Sequence, residues 1–199
     1  MKKSHVKKSS GNTNKTPVNL TNVVYGVHSI LELLAAKRRK VSMVYTTQPF
    51  IKAWPRIQSL LPSYIQVQYV DRNILEKIAG SSEHQGIVAI VQPFPFESKM
   101  FDVKKFPFLV VLDGIQDVRN LGAIIRSSYC AGVDGIILSG KNSAPLTAAA
   151  IKASAGLAEH SRIYIAPSLS AAMTASSAAP VPASIANFSS SSASASLGY

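Results

Sequence analysis

From about residue 23 the chain alternates between two periods of apolar residues. "VVYGVHSILELLAAKRRK" sets Val27, Ile30, Leu31 and Leu34 at helical spacing. "VSMVYTT" (41–47) is β-branched, stops at Gln48-Pro49 and predicts a strand. Residues 51–61 fit a helix, with Pro55 near its start. "IQVQYVD" (65–71) alternates as a strand, "RNILEKIAG" is a short helix closed by Gly80, and "GIVAIV" (86–91) is a buried strand. These elements predict a small α/β domain over 20–92.

"QPFPFESKMFDVKKFP" has three prolines and mixed charge and predicts a linker, residues 93–107, between two domains. A second α/β unit follows: a strand at 108–113, a helix at about 120–131 and a strand at 135–139. "SAPLTAAAIKASAGLAEH" predicts a helix ending near Gly156 or His160, "RIYIAP" a strand, and "SLSAAM" the start of another helix. After Arg162 no charged residue occurs. From Thr174 the last 26 residues include 16 Ser or Ala without sustained apolar periodicity, which reads as a low-complexity tail over 174–199. The second domain is therefore expected over 108–173.

Composition adds a direction. The 199 residues carry a formal charge of +11 with 47% hydrophobic residues, which points to a real core and to nucleic acid or another anionic partner. Residues 1–19 hold five lysines and no acid, and read as a flexible basic arm that either contacts phosphates or is solvated. There is no secretory signal and no run of 18 apolar residues, so a cytoplasmic, non-membrane protein is expected. The single cysteine, Cys130, excludes an intramolecular disulfide and a cysteine-built metal site, and no metal is expected.

The densest chemistry lies in "LDGIQDVRNLGAIIRSSYCAGVDGIIL", residues 112–138. In parallel α/β units ligands gather where strands end and helices begin. There the loop carries Asp113, Asp117, Arg119 and Asn120. Asn120 is a good helix N-cap, which would account for it structurally. Gly122 and Arg126 share one helix face, beside a mostly apolar stripe of Leu121, Ile124, Ile125 and Ser128. A bare glycine one turn below a guanidinium gives a phosphate room to approach. A surface ion pair from Arg126 to Asp113 or Asp117 is the alternative. The cluster Lys37, Arg38, Arg39 and Lys40 is a candidate for RNA backbone contacts, although cations at a helix end also suit its dipole. Glu32, His28 and His84 are expected to be structural.

The 112–138 stretch resembles the first signature motif of the SpoU/TrmH family of RNA ribose 2′-O-methyltransferases, in the SPOUT superfamily. "VYGVHSILELL" and "HQGIVAIV" resemble the start and end of that family's ribosomal-protein-like RNA-binding domain, and "SAPLTAAAIKASAGLAEHSRIYIAPSLSAAM" resembles its next stretch. The resemblance covers Val24 to Met173. It implies methyl transfer from S-adenosylmethionine to a ribose 2′-hydroxyl, and the closest subgroup modifies a guanosine of bacterial large-subunit rRNA. By the same resemblance Arg126 and Asn120 are catalytic-site residues. Because a guanidinium hardly deprotonates in proteins, Arg126 is better suited to hold a phosphate and stabilise developing alkoxide than to act as a base.

Two departures stand out. Many members have proline where Val118 stands. The family's later motifs, a glycine-rich turn with a glutamate and a Ser-Leu-Asn segment, thread its trefoil knot and supply most of the cofactor pocket, and neither occurs here. No cofactor-binding residue is therefore assigned. The expectation is a truncated or frameshifted member, inactive alone, of a family that pairs as homodimers; a non-catalytic RNA-binding module is the alternative. Reading the other frames of the coding DNA for the missing motifs would decide the frameshift.

Overall fold

A computed structural model describes residues 22–177 and 186–189. The basic arm at 1–19 lies outside them, as does most of the Ser/Ala stretch.

The first domain is a mixed four-stranded sheet with helices. It runs β1 (Val23–Tyr25), α1 (Val27–Ala36), β2 (Val41–Thr46), α2 (Trp54–Leu60), β3 (Gln66–Tyr69), α3 (Arg72–Ala79), a 3₁₀ turn at Ser82–His84, and β4 (Ile87–Val91). The order across the sheet is β1-β4-β2-β3, with β2 and β3 parallel and β4 antiparallel to both β1 and β2. β1 was not anticipated: its three residues are buried and too few to show a period. Helix α1 buries Ile30, Leu31, Leu33 and Leu34. It ends at Ala36, and Lys37 takes a left-handed conformation (φ 54°) with its N–H on the Leu33 carbonyl, so the basic cluster follows the helix and does not form its last turn. Expected elements over 41–91 otherwise match to within a few residues.

The second domain contains β5 (Leu109–Asp113), α4 (Val118–Cys130), β6 (Gly135–Ser139), α5 (Ala148–Ala153), a 3₁₀ turn at Leu157–His160, β7 (Ile163–Ala166), α6 (Leu169–Ser177) and β8 (Ala186–Ser189). Its described strands form a parallel sheet in the order β7-β6-β5-β8. Alternate residues of β5 and β6 face opposite layers. Val110, Leu112, Ile136 and Leu138 pack with Leu121 and Ile125 of α4 and Ile151 of α5, whereas Leu109, Val111 and Ile137 pack with Phe101 and with Leu169 of α6.

Three expectations need revising. Residues 93–107 are no free linker, because Phe94 and Phe101 are buried and the Glu97 N–H bonds the Ile163 carbonyl at 2.8 Å. The apolar rings simply outweigh the prolines. The stretch 174–199 is not all without structure, since Ala186–Ser189 pairs in parallel with β5. Backbone pairing along an open strand edge requires no alternating side-chain pattern, so composition was silent there. The single helix expected up to Gly156 or His160 is instead α5 followed by a 3₁₀ turn, broken by positive φ at Ala155 (55°) and Gly156 (87°).

The two domains share one apolar cluster, running from Val24 through Leu112 to Ile163. Across it run acid–base pairs that join the second domain to the first or, at Glu97, to the connecting segment. Arg39 Nη1 donates to Glu159 Oε1 at 2.8 Å with both side chains buried, and its Nε donates to the Gln92 carbonyl. Arg38 donates to the carbonyls of Ser161 (2.6 Å) and Glu159 (3.3 Å). His160 meets Glu32 at 2.9 Å, Lys152 meets Glu83 at 2.9 Å, and Arg162 meets Glu97 at 2.8 Å while lying over the Phe106 ring at 4.3 Å. Burial pushes the Glu159 carboxyl up, and Arg39, Arg38 and His160 pull it back.

Truncating Arg39 would strand a buried carboxylate. Arg39→Met is expected to lower stability by about 3 kcal/mol in urea unfolding, and adding Glu159→Gln should recover part of that loss by removing the unpaired charge. The Arg162 guanidinium bond holds the Glu97 carboxyl below its usual 4.5. A carboxylate depressed on folding stabilises above its unfolded value and loses that contribution as pH falls through the folded one. The stability gap between the wild type and Glu97→Gln should therefore be full near neutral pH and shrink below about pH 4, measured by urea midpoints.

Candidate functional site

Strand order in the second sheet reverses at β5: the chain steps outward to β6 and β7, then returns to β8 on the other side of β5. Such a switch point leaves a crevice at the carboxyl ends of the strands. The loop after β5 lies there, turning at Gly114 (φ 64°). Gly114, Ile115, Gln116, Asp117, Asn120, Ala123 and Ile124 line a pocket of about 540 Å³.

The helix that borders the pocket starts earlier than expected. Asp117, not Asn120, is its N-cap: Asp117 Oδ1 accepts from the N–H groups of Arg119 (2.7 Å) and Asn120 (2.8 Å). The carboxylate reaches both amides from one residue outside the first turn, whereas Asn120 is already in the third helical position, exposed, with its side chain towards the pocket. Val118 occupies the first helical position. A proline is tolerated there, because that N–H has no partner in the helix.

Gly122 has a different use from the one expected. It is buried, and a Cβ on it would overlap the Ala150 carbonyl oxygen and lie 2.5 Å from Ala153 Cβ. The bare backbone lets α4 cross α5 closely; it does not open a path to Arg126. Nor do Asn120 and Arg126 share a face. Six residues on a helix turn through about 240°, leaving the two side chains about 120° apart. Arg126 is exposed and lies outside the pocket lining. Among the described residues it makes no ion pair, with Asp113 and Asp117 included.

What does share Arg126's stripe is Arg119, seven residues earlier and about 10 Å away along the axis. Its side chain is 77% exposed, and its only ion pair among the described residues is a 3.5 Å contact with Glu83. The seven-residue spacing that puts these arginines on one stripe is visible in the sequence. Together they make a cationic stripe on the helix that borders the crevice, outside the crevice lining. Glu83, pulled down by Lys152 and then by Arg119, is the acid that faces this stripe.

The four-residue basic cluster divides. Arg38 and Arg39 bond across the domain interface, Arg39 being 5% exposed and Arg38 half-buried, and both border the same pocket as Lys37 and Lys40. The Arg39 guanidinium faces a carbonyl and a carboxylate. Lys37 and Lys40 are exposed and line a pocket of about 420 Å³ with Leu60 and the exposed Tyr64. His84 is buried; its Nδ1 accepts from the Gly86 N–H at 3.0 Å, and burial lowers its pKa. Glu32 pairs with His160, and His28 is exposed. No helix among the described residues is long and apolar enough to cross a membrane, and no group of metal-ligating side chains occurs among them.

The sequence matches two family models in tandem: "RNA 2'-O ribose methyltransferase substrate binding" over residues 23–97 and "SpoU rRNA Methylase family" over 107–192. The chain belongs to the SpoU methylase family. Among curated relatives it is 36% identical over 144 residues to the 23S rRNA (guanosine-2'-O-)-methyltransferase RlmB of Acinetobacter baylyi, covering 68% of this chain and 57% of the relative. The RlmB of Shewanella oneidensis is 32% identical over 144 residues, 69% and 58% respectively. The chain thus spans just under three fifths of these relatives. In fold it is similar to the SpoU methyltransferase AviRb from Streptomyces viridochromogenes in complex with AdoMet, with a TM-score of 0.62 at 19% identity over 78% of this chain and 59% of that one. An AdoMet-bound rRNA methyltransferase from Sinorhizobium meliloti superposes with a TM-score of 0.57 at 20% identity over 77% and 58%. The family match reaches residue 192, past the expected domain end at Met173 and across β8. The knot that the resemblance implies after Met173 falls largely outside the described residues.

S-adenosylmethionine presents a carboxylate, an ammonium, a ribose and an adenine. The pocket beside α4 provides an apolar floor from Ile115, Ala123 and Ile124, and polar groups from Gln116 and Asn120. No cation lines it among the described residues, and the Asp117 carboxylate is engaged as a cap. These residues make one wall and not a full site for the cofactor. The close crossing of α4 on α5 gives its own test: Gly122→Ala should cost about 1–3 kcal/mol in urea unfolding, as overpacking against backbone cannot be relieved by a rotamer change.

Proposed function

We propose that this chain is an RNA ribose 2′-O-methyltransferase by descent, directed at a guanosine of large-subunit rRNA in the cytoplasm, with S-adenosylmethionine as methyl donor. The observation that carries the reading is Arg126: an exposed guanidinium without an ion pair among the described residues, on one stripe with Arg119, on the helix whose other residues border the switch-point crevice. Tandem substrate-binding and methylase matches support it.

In this reading the first domain holds RNA, with Lys37 and Lys40 as its backbone contacts. Arg126 grips the phosphate next to the target ribose and offers positive charge to the 2′-oxygen as negative charge develops on it. Asn120, on the pocket side of the helix, shapes the crevice and does not touch the same phosphate. Transfer by these 199 residues alone is expected to be near background, because no charged side chain follows Arg162 to complete the pocket. Family members pair through the knotted domain, and a homodimer is the assembly expected of an active form.

A pure RNA-binding role is favoured by one observation: the first domain has a closed core and paired strands, while the described residues supply one wall of a cofactor pocket. Labelled methyl transfer to unmodified rRNA separates the two readings, since robust turnover excludes the binding module. Arg126 can be examined whether or not turnover occurs. Binding of an rRNA fragment should weaken steeply with salt, and Arg126→Ala should reduce the log–log slope by about one phosphate contact. An unchanged slope and affinity would remove Arg126 from the RNA surface.

A further inference from the structure

At the carboxyl ends of β2 and β3 the first domain carries three aromatic rings that the site above does not use. Phe50 and Trp54 lie 5.7 Å apart and 5° from parallel, and Tyr69 meets both edge-on at 5.6 and 6.5 Å. Trp54 is 4% exposed, while Phe50 and Tyr69 are 49% and 50% exposed. The stack is thus anchored at its Trp54 end and open at its Phe50 end. A core aromatic would be covered by its own domain; here half of the outer ring meets water, at a cost in apolar exposure that a ligand would remove.

The surroundings are cationic. Between Thr47 and Arg72 the chain has Lys52, Arg56 and Arg72, all exposed, against one acid, Asp71. The stack also lies at the same end of the molecule as the switch-point crevice. Gly86 packs so tightly on the Phe50 loop that a Cβ there would lie 2.6 Å from Ile51 Cγ2, and Thr46 Oγ1 donates to the Gly86 carbonyl at 2.9 Å. Three residues before Gly86, Glu83 reaches across to Lys152 and Arg119. The ring stack, the 82–86 segment and the first turn of α4 therefore follow one another along one face.

We propose that Phe50 is a stacking platform for an unpaired base of the RNA whose ribose is presented at the α4 crevice. The inference rests on the RNA reading above and narrows it, from RNA in general to RNA with a splayed, unstacked nucleotide near the target. Every base has a π-face that can extend the Trp54–Phe50 stack as a third layer, with Tyr69 at its edge and the nearby cations on the backbone. A fully paired duplex has no free base to offer.

The experiment uses the full chain and two RNAs of equal length and charge, a hairpin with an unpaired loop and a continuous duplex. Trp54 is the only tryptophan, so its emission reports on the stack directly. The loop RNA should change that emission and the duplex should not. Phe50→Ala should weaken loop binding about tenfold, leave duplex binding unchanged and leave the circular dichroism spectrum intact, while Phe50→Tyr retains loop affinity. Equal losses on both RNAs, or no loss on either, overturn the platform while leaving RNA binding standing. A wild type that binds neither RNA sinks the RNA reading and the platform together. A Phe50→Ala chain that keeps its RNA affinity but sediments as a smaller species than wild type assigns the patch to self-association and overturns the proposal.

Discussion

The buried pair between Arg39 and Glu159 sets the relation of everything else. Each charge is costly in the interior without the other, and the two lie 120 residues apart in sequence, one in each domain. Arg38 reinforces the clasp through two carbonyls, and the Phe94 ring covers one side of Arg39 at 5.8 Å. The outer pairs, Glu83 with Lys152 and Glu97 with Arg162, are partly exposed and add less energy than alignment. The apolar cluster beneath is shared by both domains, so burial supplies the bulk of the adhesion and the ion pairs restrict its register.

That register matters for chemistry on a large polymer. The carboxyl ends of β2 and β3, the 82–86 segment and the loop after β5 come to one end of the molecule, which is where parallel strands place their ligands. On that end lie Arg119 in the first turn of α4, the pocket with Asn120, and the open ring of Phe50. A rigid join lets one domain grip RNA while the other meets a particular ribose. Positioning of this kind removes entropy from the reaction before any bond changes.

The same join explains a shift in where positive charge is available. Of four consecutive cations after α1, the two arginines go to protein carbonyls and a carboxylate, and the two lysines stay in solvent. Arginine's planar fork can satisfy several acceptors at once, which suits it to a buried interface; the lysines, with a single strongly hydrated head, remain outside. Charge density in a sequence is therefore a poor measure of an RNA surface until the partners of each cation are known.

Local patterns carried a good deal. The β-branched and apolar runs at 41–46, 87–91, 109–113 and 135–139 became strands, since a side chain's face in a strand or helix depends on its immediate neighbours. The motif around Asn120 and Arg126 also marked the strand-to-helix turn where the crevice lies. Other features depended on contacts far along the chain. Asp117 took the capping role because the helix begins two residues before the expected start, and Gly122 serves a helix crossing because α5 lies over it. Arg38 and Arg39 met acceptors more than 50 residues away, and β8 formed because β5 had an open edge. Periodicity records which way a residue faces, but not what will stand opposite it. The partner across each buried charge, each bare glycine and each strand edge is known only once the chain has closed on itself.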